Sequence, residues 1–245
     1  MVKSLLLMLL ICIPSVQAAE VRVAVAANFL ATLKAIIPGY EKQTGDKVVT
    51  SSASTGKLYA QIIHGAPYDV LLSADKEHPE KLFGLGKTVP GRGFVYAQGQ
   101  LVLWGGNPDQ PLSEHSVARR GRGRFAIANP RTAPYGRVAK QALIRMEQWQ
   151  KLSPDLVQGE SIGQAFQFVA SGNVELGLVS LSQVLNPDNP YNKTNYWLVP
   201  EDYYTPLQQQ AVLLKHGENN SAATRFLDYL KTAAARKVMA QFGYL

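Results

Sequence analysis

"SSASTGKLYAQIIHGAPYDVLLSAD", Ser51 to Asp75, decides the fold class. Small hydroxyl residues lead straight into a short amphipathic helix, "TGKLYAQIIHG". A Gly-Ala-Pro turn follows, then "YDVLLSAD", a strand too apolar to face water. The helix start carries only small polar residues. Ser54 and Thr55 either cap it or leave its unpaired amides to a ligand.

The same rhythm extends on both sides. "VRVAVAA" (Val21 to Ala27) is an apolar strand, and "NFLATLKAIIPGYEKQTG" carries Phe29, Leu33, Ile36, Ile37 and Tyr40 at helical spacing. Pro38 and Gly39 interrupt that helix, which predicts a kink or two short helices. "DKVVTSS" is a second strand. Beyond "QLVLWGG" the alternation resumes: "GRFAIAN" leads to "PYGRVAKQALIRMEQW", and "SIGQAFQFVASG" leads to "VELGLVSL". "QQQAVLLKHG" precedes one C-terminal helical run, "SAATRFLDYLKTAAARKVMAQFG". Strands alternating with helices predict βαβ units and mainly parallel sheets. No internal repeat or low-complexity segment is visible.

The opening "MVKSLLLMLLICIPSVQA" has one basic residue, Lys3, then an apolar run and Pro14, with Val16 and Ala18 at a cleavage position. It reads as a secretory signal peptide over residues 1–18, too short for a stable anchor. Cys12, the only cysteine of the chain, lies inside it, so the core beyond it holds without disulfides. Ile11 before Cys12 is too large for a lipidation site, which favours soluble export.

Basic residues number 25 against 18 acidic, a net charge of +7. Such a balance suits nucleic acid, a membrane surface or a small anion. The densest cluster, "ARRGRGRF" (Ala118 to Phe125), reads as a solvated loop feeding a strand. It lacks the interleaved aromatics of a nucleic-acid surface. "STGK" fails as a phosphate loop, because Ser51 stands where the first glycine belongs and Leu58 follows the lysine. No Gly-x-Ser-x-Gly elbow is present. His64, His78, His115 and His216 are scattered without metal-ligand spacing. "NKT" at Asn192 and "NNS" at Asn219 match a glycosylation pattern that matters only in a eukaryotic secretory route. Glu160 and Asp155 read as solvated or capping residues rather than an acid/base pair.

Four junctions share one character. Helices open at Asn28, at Thr55–Gly56, at Pro134–Gly136 and at Ser161–Ile162, each after a strand or a small polar loop. In open α/β sheets such helix starts converge at the carboxyl ends of strands and suit anions. Ordinary capping by Asn28, Thr55 and Ser161 accounts equally for any one of them.

These residues carry a resemblance. "VAVAANF", "SSASTGKLYAQIIHGAPYDVLLSAD", "ANPRTAPYGRVAKQAL", "LGLVSLSQV" and the closing "FLDYLK…FGY" resemble the periplasmic molybdate-binding proteins of molybdate ABC transporters, over essentially the whole chain after residue 18. The resemblance implies a two-lobed type II periplasmic binding protein fold, α/β, with a ligand cleft between the lobes. Crossing strands at "GQLVLW" and "LQQQAVLL" put lobe one at residues 19–97 plus 211–245 and lobe two at residues 98–210. It also implies a site. Asn28 matches a position that donates its amide and side chain, and Thr55 one that donates a hydroxyl and an amide. Tyr135 and Ile162 match positions that use backbone amides alone. Ser180 stands where some members have a tyrosine hydroxyl. The implied function is capture of molybdate, and of tungstate, for the membrane permease of an ABC importer. It comes with no cofactor, no direct metal ligands, no catalysis and no nucleic-acid partner, in a periplasmic monomer. The alternatives are a receptor for sulfate or another tetrahedral oxyanion, and an exported hydrolase using Ser54 or Thr55 as nucleophile.

Overall fold

A computed structural model describes residues 19–105, 111–119, 124–191 and 194–245. Residues 1–18, expected from sequence to be a signal peptide, the centre of the basic cluster and Asn192 lie outside these residues. Two five-stranded sheets form the two lobes.

In the first lobe β1 (Glu20–Ala26), α1 (Leu30–Thr44), β2 (Lys47–Ala53), α2 (Thr55–Ile63), β3 (Val70–Leu72), α3 (Glu77–Gly84) and β4 (Thr88–Gly99) follow one another. The second lobe holds β5 (Leu101–Gly105), α4 (Glu114–Arg119), β6 (Phe125–Ala128), α5 (Pro134–Arg145) and α6 (Trp149–Leu152). It continues with β7 (Leu156–Gly159), α7 (Ile162–Ala170), β8 (Leu176–Ser180), α8 (Leu181–Val184) and β9 (Tyr196–Leu198). The chain returns to the first lobe as β10 (Leu207–Leu214), α9 (Ser221–Leu230) and α10 (Ala233–Gln241).

The strand orders are β2-β1-β3-β10-β4 and β7-β6-β8-β5-β9. In each, three neighbouring strands are parallel, the fourth is antiparallel, and the fifth is antiparallel to the fourth. The two lobes therefore share one topology although the sequence shows no repeat. What recurs is the pattern of buried strand and amphipathic helix, not residue identity. Val21, Val23, Val25, Val70, Leu71 and Leu72 are fully buried. Each such side chain stabilises the fold by about 1.5–3 kcal/mol.

The change of sheet falls at Gln100 going out and before Leu207 coming back. Residues 98–99 and 207–210, assigned from sequence to lobe two, are strand residues of the first sheet, where Gln208 pairs with Gln98. Helix α1 runs unbroken through Pro38, contrary to the predicted kink or split. Pro38 is exposed, so the carbonyl deprived of its partner faces water. The C-terminal run is two helices, not one. The first ends at Leu230, and Thr232 caps the second, accepting from the Ala235 N–H at 3.3 Å.

Candidate functional site

Each of the five candidate residues follows the carboxyl end of a parallel strand. Asn28 comes after β1, Thr55 after β2, Tyr135 after β6, Ile162 after β7, and Ser180 ends β8. All five are buried, at 2 %, 0 %, 1 %, 4 % and 0 % exposure. Residues from both lobes are thus covered together, and the lobes meet over them.

Contacts between the lobes ring this point. The Gly56 N–H donates to the Thr132 carbonyl at 2.9 Å. Lys57 Nζ lies 2.8 Å from Glu160 Oε2. A Cβ on Gly163 would stand 3.5 Å from Ala27 Cβ. Ser182 Oγ donates to the Asn28 carbonyl at 3.0 Å. At the outer rim Arg137 reaches both Asp75 and Glu77. Burial raises the Asp75 carboxyl, but bonds from His78 and the Arg137 charge outweigh it and hold the group below the usual carboxylate range.

The helix starts inside this ring are unpaired. Among the described residues, no backbone or side-chain acceptor takes the N–H of Asn28, Thr55, Tyr135 or Ile162. Of the three residues that ordinary capping would use, only Ser161 caps its helix, accepting from the Gln164 N–H at 3.3 Å. The N-cap of α2 is Ser54, not Thr55, and its buried hydroxyl bonds nothing among the described residues. Thr55 Oγ1 accepts from the Ala74 N–H at 3.1 Å, which leaves its own proton free to donate. Asn28 lies one residue before the N-cap of α1, and its side chain turns away from that helix.

Ser180 differs from the other four. Its hydroxyl lies 2.9 Å from Ser182 Oγ and donates to Gln183 Oε1 at 3.1 Å, inside the second lobe. It reaches the other candidates indirectly, through Ser182 to the Asn28 carbonyl and through Gln183, whose Nε2 donates to the Ile162 carbonyl at 3.2 Å.

Four residues behind the cradle were not singled out from the sequence. Asn28 Nδ2 donates to Gln209 Oε1 at 2.9 Å and to Tyr244 Oη at 3.0 Å. Tyr96 Oη lies 2.9 Å from Gln209 Oε1, and Tyr244 Oη lies 3.0 Å from Ser182 Oγ. Burial pushes the Tyr96 and Tyr135 phenols well above the usual tyrosine range and Tyr244 up to about 12, so all three remain neutral hydroxyls. The sequence offers no local signal for them, because Gln209 and Tyr244 are 181 and 216 residues from Asn28.

Two α/β lobes of one topology, joined by two crossings and closed over unpaired amides at strand ends, define a type II periplasmic binding protein fold. Residues 21–245 match the family described as bacterial extracellular solute-binding protein, and the chain belongs to that family. It is 48 % identical over 229 residues to the molybdate-binding protein ModA of Azotobacter vinelandii, covering 93 % of this chain and 90 % of that one. ModA of Rhodobacter capsulatus is 40 % identical over 228 residues, covering 93 % and 89 %. The solved structure of the Azotobacter vinelandii periplasmic molybdate-binding protein superposes with a TM-score of 0.87 at 39 % identity, covering 92 % of this chain and 99 % of that one.

Proposed function

We propose that this protein captures molybdate, and tungstate, in the periplasm and delivers it to the membrane permease of an ABC importer. It acts as a monomer, binds no nucleic acid and catalyses no reaction. Residues 1–18 are its cleaved export signal. The ligand sits at Asn28, Thr55, Tyr135 and Ile162, with Ser180 supporting Asn28 from behind.

One observation supports this reading: four N–H groups, two from each lobe, take no partner among the described residues, and the Thr55 hydroxyl keeps a proton to donate. A fully deprotonated tetrahedral dianion accepts hydrogen bonds and donates none, so such a donor set satisfies it. Charge-assisted bonds contribute roughly 1.5–3 kcal/mol each, and a handful gives tight capture. Helix amino termini supply the positive field, so no lysine or arginine need touch the ligand. The names of the two relatives point to the same ligand.

A hydrolase would need a base beside its nucleophile. Ser54 Oγ has no partner among the described residues, and Thr55 Oγ1 accepts from the Ala74 amide. Neither meets a histidine.

Equilibrium dialysis against molybdate, with molybdenum counted by mass spectrometry, tests the proposal. One molybdenum retained per chain is expected. Retention no greater than that of an unrelated exported protein would contradict it.

A further inference from the structure

Three polar atoms behind the cradle are buried and lack partners among the described residues: Asn28 Oδ1, Gln209 Nε2 and Tyr135 Oη. They belong to residues at 2 %, 0 % and 1 % exposure. Buried groups left unpaired are costly, and three in one place call for a common cause. Two of them stand side by side. A Cβ on Gly99 would lie 2.2 Å from Tyr135 Oη and 2.5 Å from Gln209 Nε2. Gln209 is close enough to lower the Tyr135 phenol against the larger upward push of burial, yet neither atom completes a bond in this orientation.

The Tyr96 hydroxyl bears on the amide orientation as well. Tyr96 has one hydroxyl proton but faces two acceptors, Gln209 Oε1 at 2.9 Å and the Ser73 carbonyl at 3.2 Å. A half-turn of a terminal amide exchanges its oxygen and nitrogen within the same envelope. Turning Asn28 alone would set two oxygens face to face across their 2.9 Å contact, and turning Gln209 alone would set two nitrogens there. Turning both keeps that contact, with Gln209 Nε2 now donating to Asn28 Oδ1, which also faces the Tyr244 hydroxyl where Nδ2 had donated. The second Nε2 proton goes to Tyr96 Oη, whose own proton goes to Ser73. Gln209 Oε1 then becomes the amide atom on the Tyr135 side. Asn28 Nδ2 then occupies the side of the residue that has no protein partner.

We propose that the Tyr135 phenol and Gln209 are positioning residues that aim Asn28 Nδ2 at the bound anion. This rests on the oxyanion-capture reading above. The direction of donation runs from Tyr135 to Gln209, to Asn28, to the ligand. Tyr135 belongs to the second lobe, and Asn28 and Gln209 belong to the first. The relay is therefore complete only when the lobes close, and Gly99 is where the phenol gains the space to reach. The side chain of Tyr135 acts here, beyond its backbone amide.

A mutant cycle tests this, using whichever of molybdate, tungstate, sulfate and phosphate the parent binds most tightly. Calorimetry is run on the parent, Tyr135→Phe, Asn28→Ala and the double variant, with melting of each free protein as the folding control. Tyr135→Phe should weaken binding about tenfold in the parent and less than about twofold in the Asn28→Ala background. Gln209→Met, run through the same cycle, should show the same dependence on Asn28, and decides the matter if Tyr135→Phe fails to fold. An equal loss in both backgrounds, or no loss in the parent, overturns the relay while leaving oxyanion capture standing. A parent that binds none of the four anions overturns both.

Discussion

The Gly56 N–H in the first lobe donates to the Thr132 carbonyl oxygen in the second at 2.9 Å, and a Cβ on Gly56 would stand 2.7 Å from that oxygen. The obstacle is backbone, so no side chain can swing aside. Gly56→Ala should therefore block closure without harming the first lobe. Alanine in place of glycine favours the helix by about 1 kcal/mol, so the free protein should melt at the same temperature or higher. Molybdate affinity should fall at least about tenfold, and small-angle scattering should show no contraction when molybdate is added. Parent-like affinity in calorimetry would show that the lobes meet differently.

Thr55 has two duties, which separates its substitutions. Its oxygen takes the Ala74 N–H and its proton is offered to the ligand. Thr55→Val removes both, so it should lower stability as well as binding, each by about 1–3 kcal/mol. Shape conservation alone would have predicted unchanged folding. Thr55→Ser should restore both. A valine variant that melts with the parent would remove the Ala74 contact from the account.

Arg137 fastens the rim of the closed cleft to Asp75 and Glu77 without touching the cradle. The Asp75 carboxyl is held below its ordinary value in the closed state. His78 lies in the same lobe and supplies most of that depression, so only the smaller part due to the Arg137 charge favours closure. That part is present above the ordinary pKa of about 4 and is lost as pH falls through the depressed value. Affinity should therefore hold from neutral pH into the ordinary carboxylate range and decline only below it. Arg137 is partly exposed, so Arg137→Gln should weaken binding by about 1 kcal/mol or less at neutral pH. The variant should lack the part of the acid decline that Arg137 supplies. Identical pH profiles for parent and variant would show that Arg137 does not hold the lobes together.

Much of the fold was legible because buried parallel strands read as apolar runs and their helices keep a 3.6-residue period. β1, β2 and β6 all fall where those patterns predict. β4 does not show itself in this way. It is an edge strand carrying Pro90, Gly91, Arg92 and Gly93, all exposed, and an edge tolerates residues that a central strand would reject. The crossings were misplaced by a few residues because β4 and β10 pair with each other up to Gly99 and Leu207, beyond the point where their apolar character fades. Within the candidate site, Asn28, Thr55, Tyr135 and Ile162 could be marked as junction residues from local pattern. Gln209, Tyr244 and Ser182 could not, since their relation to Asn28 exists only after the lobes have folded and closed.

The central claim is a closed cradle made of donors alone, and the anions it refuses test it most directly. Near neutral pH phosphate keeps at least one proton, which needs an acceptor. With Asn28 Nδ2 turned inward as proposed above, the candidate residues offer no carboxylate or amide oxygen to take it, and the unmade bond costs roughly 1–3 kcal/mol. Sulfate carries no such proton, so only its smaller size counts against it. Titration calorimetry with molybdate, tungstate, sulfate and phosphate at fixed ionic strength should give one site per chain, tight for molybdate and tungstate, far weaker for sulfate, and no heat for phosphate. Phosphate binding as tightly as molybdate, or molybdate giving no heat, would contradict the account.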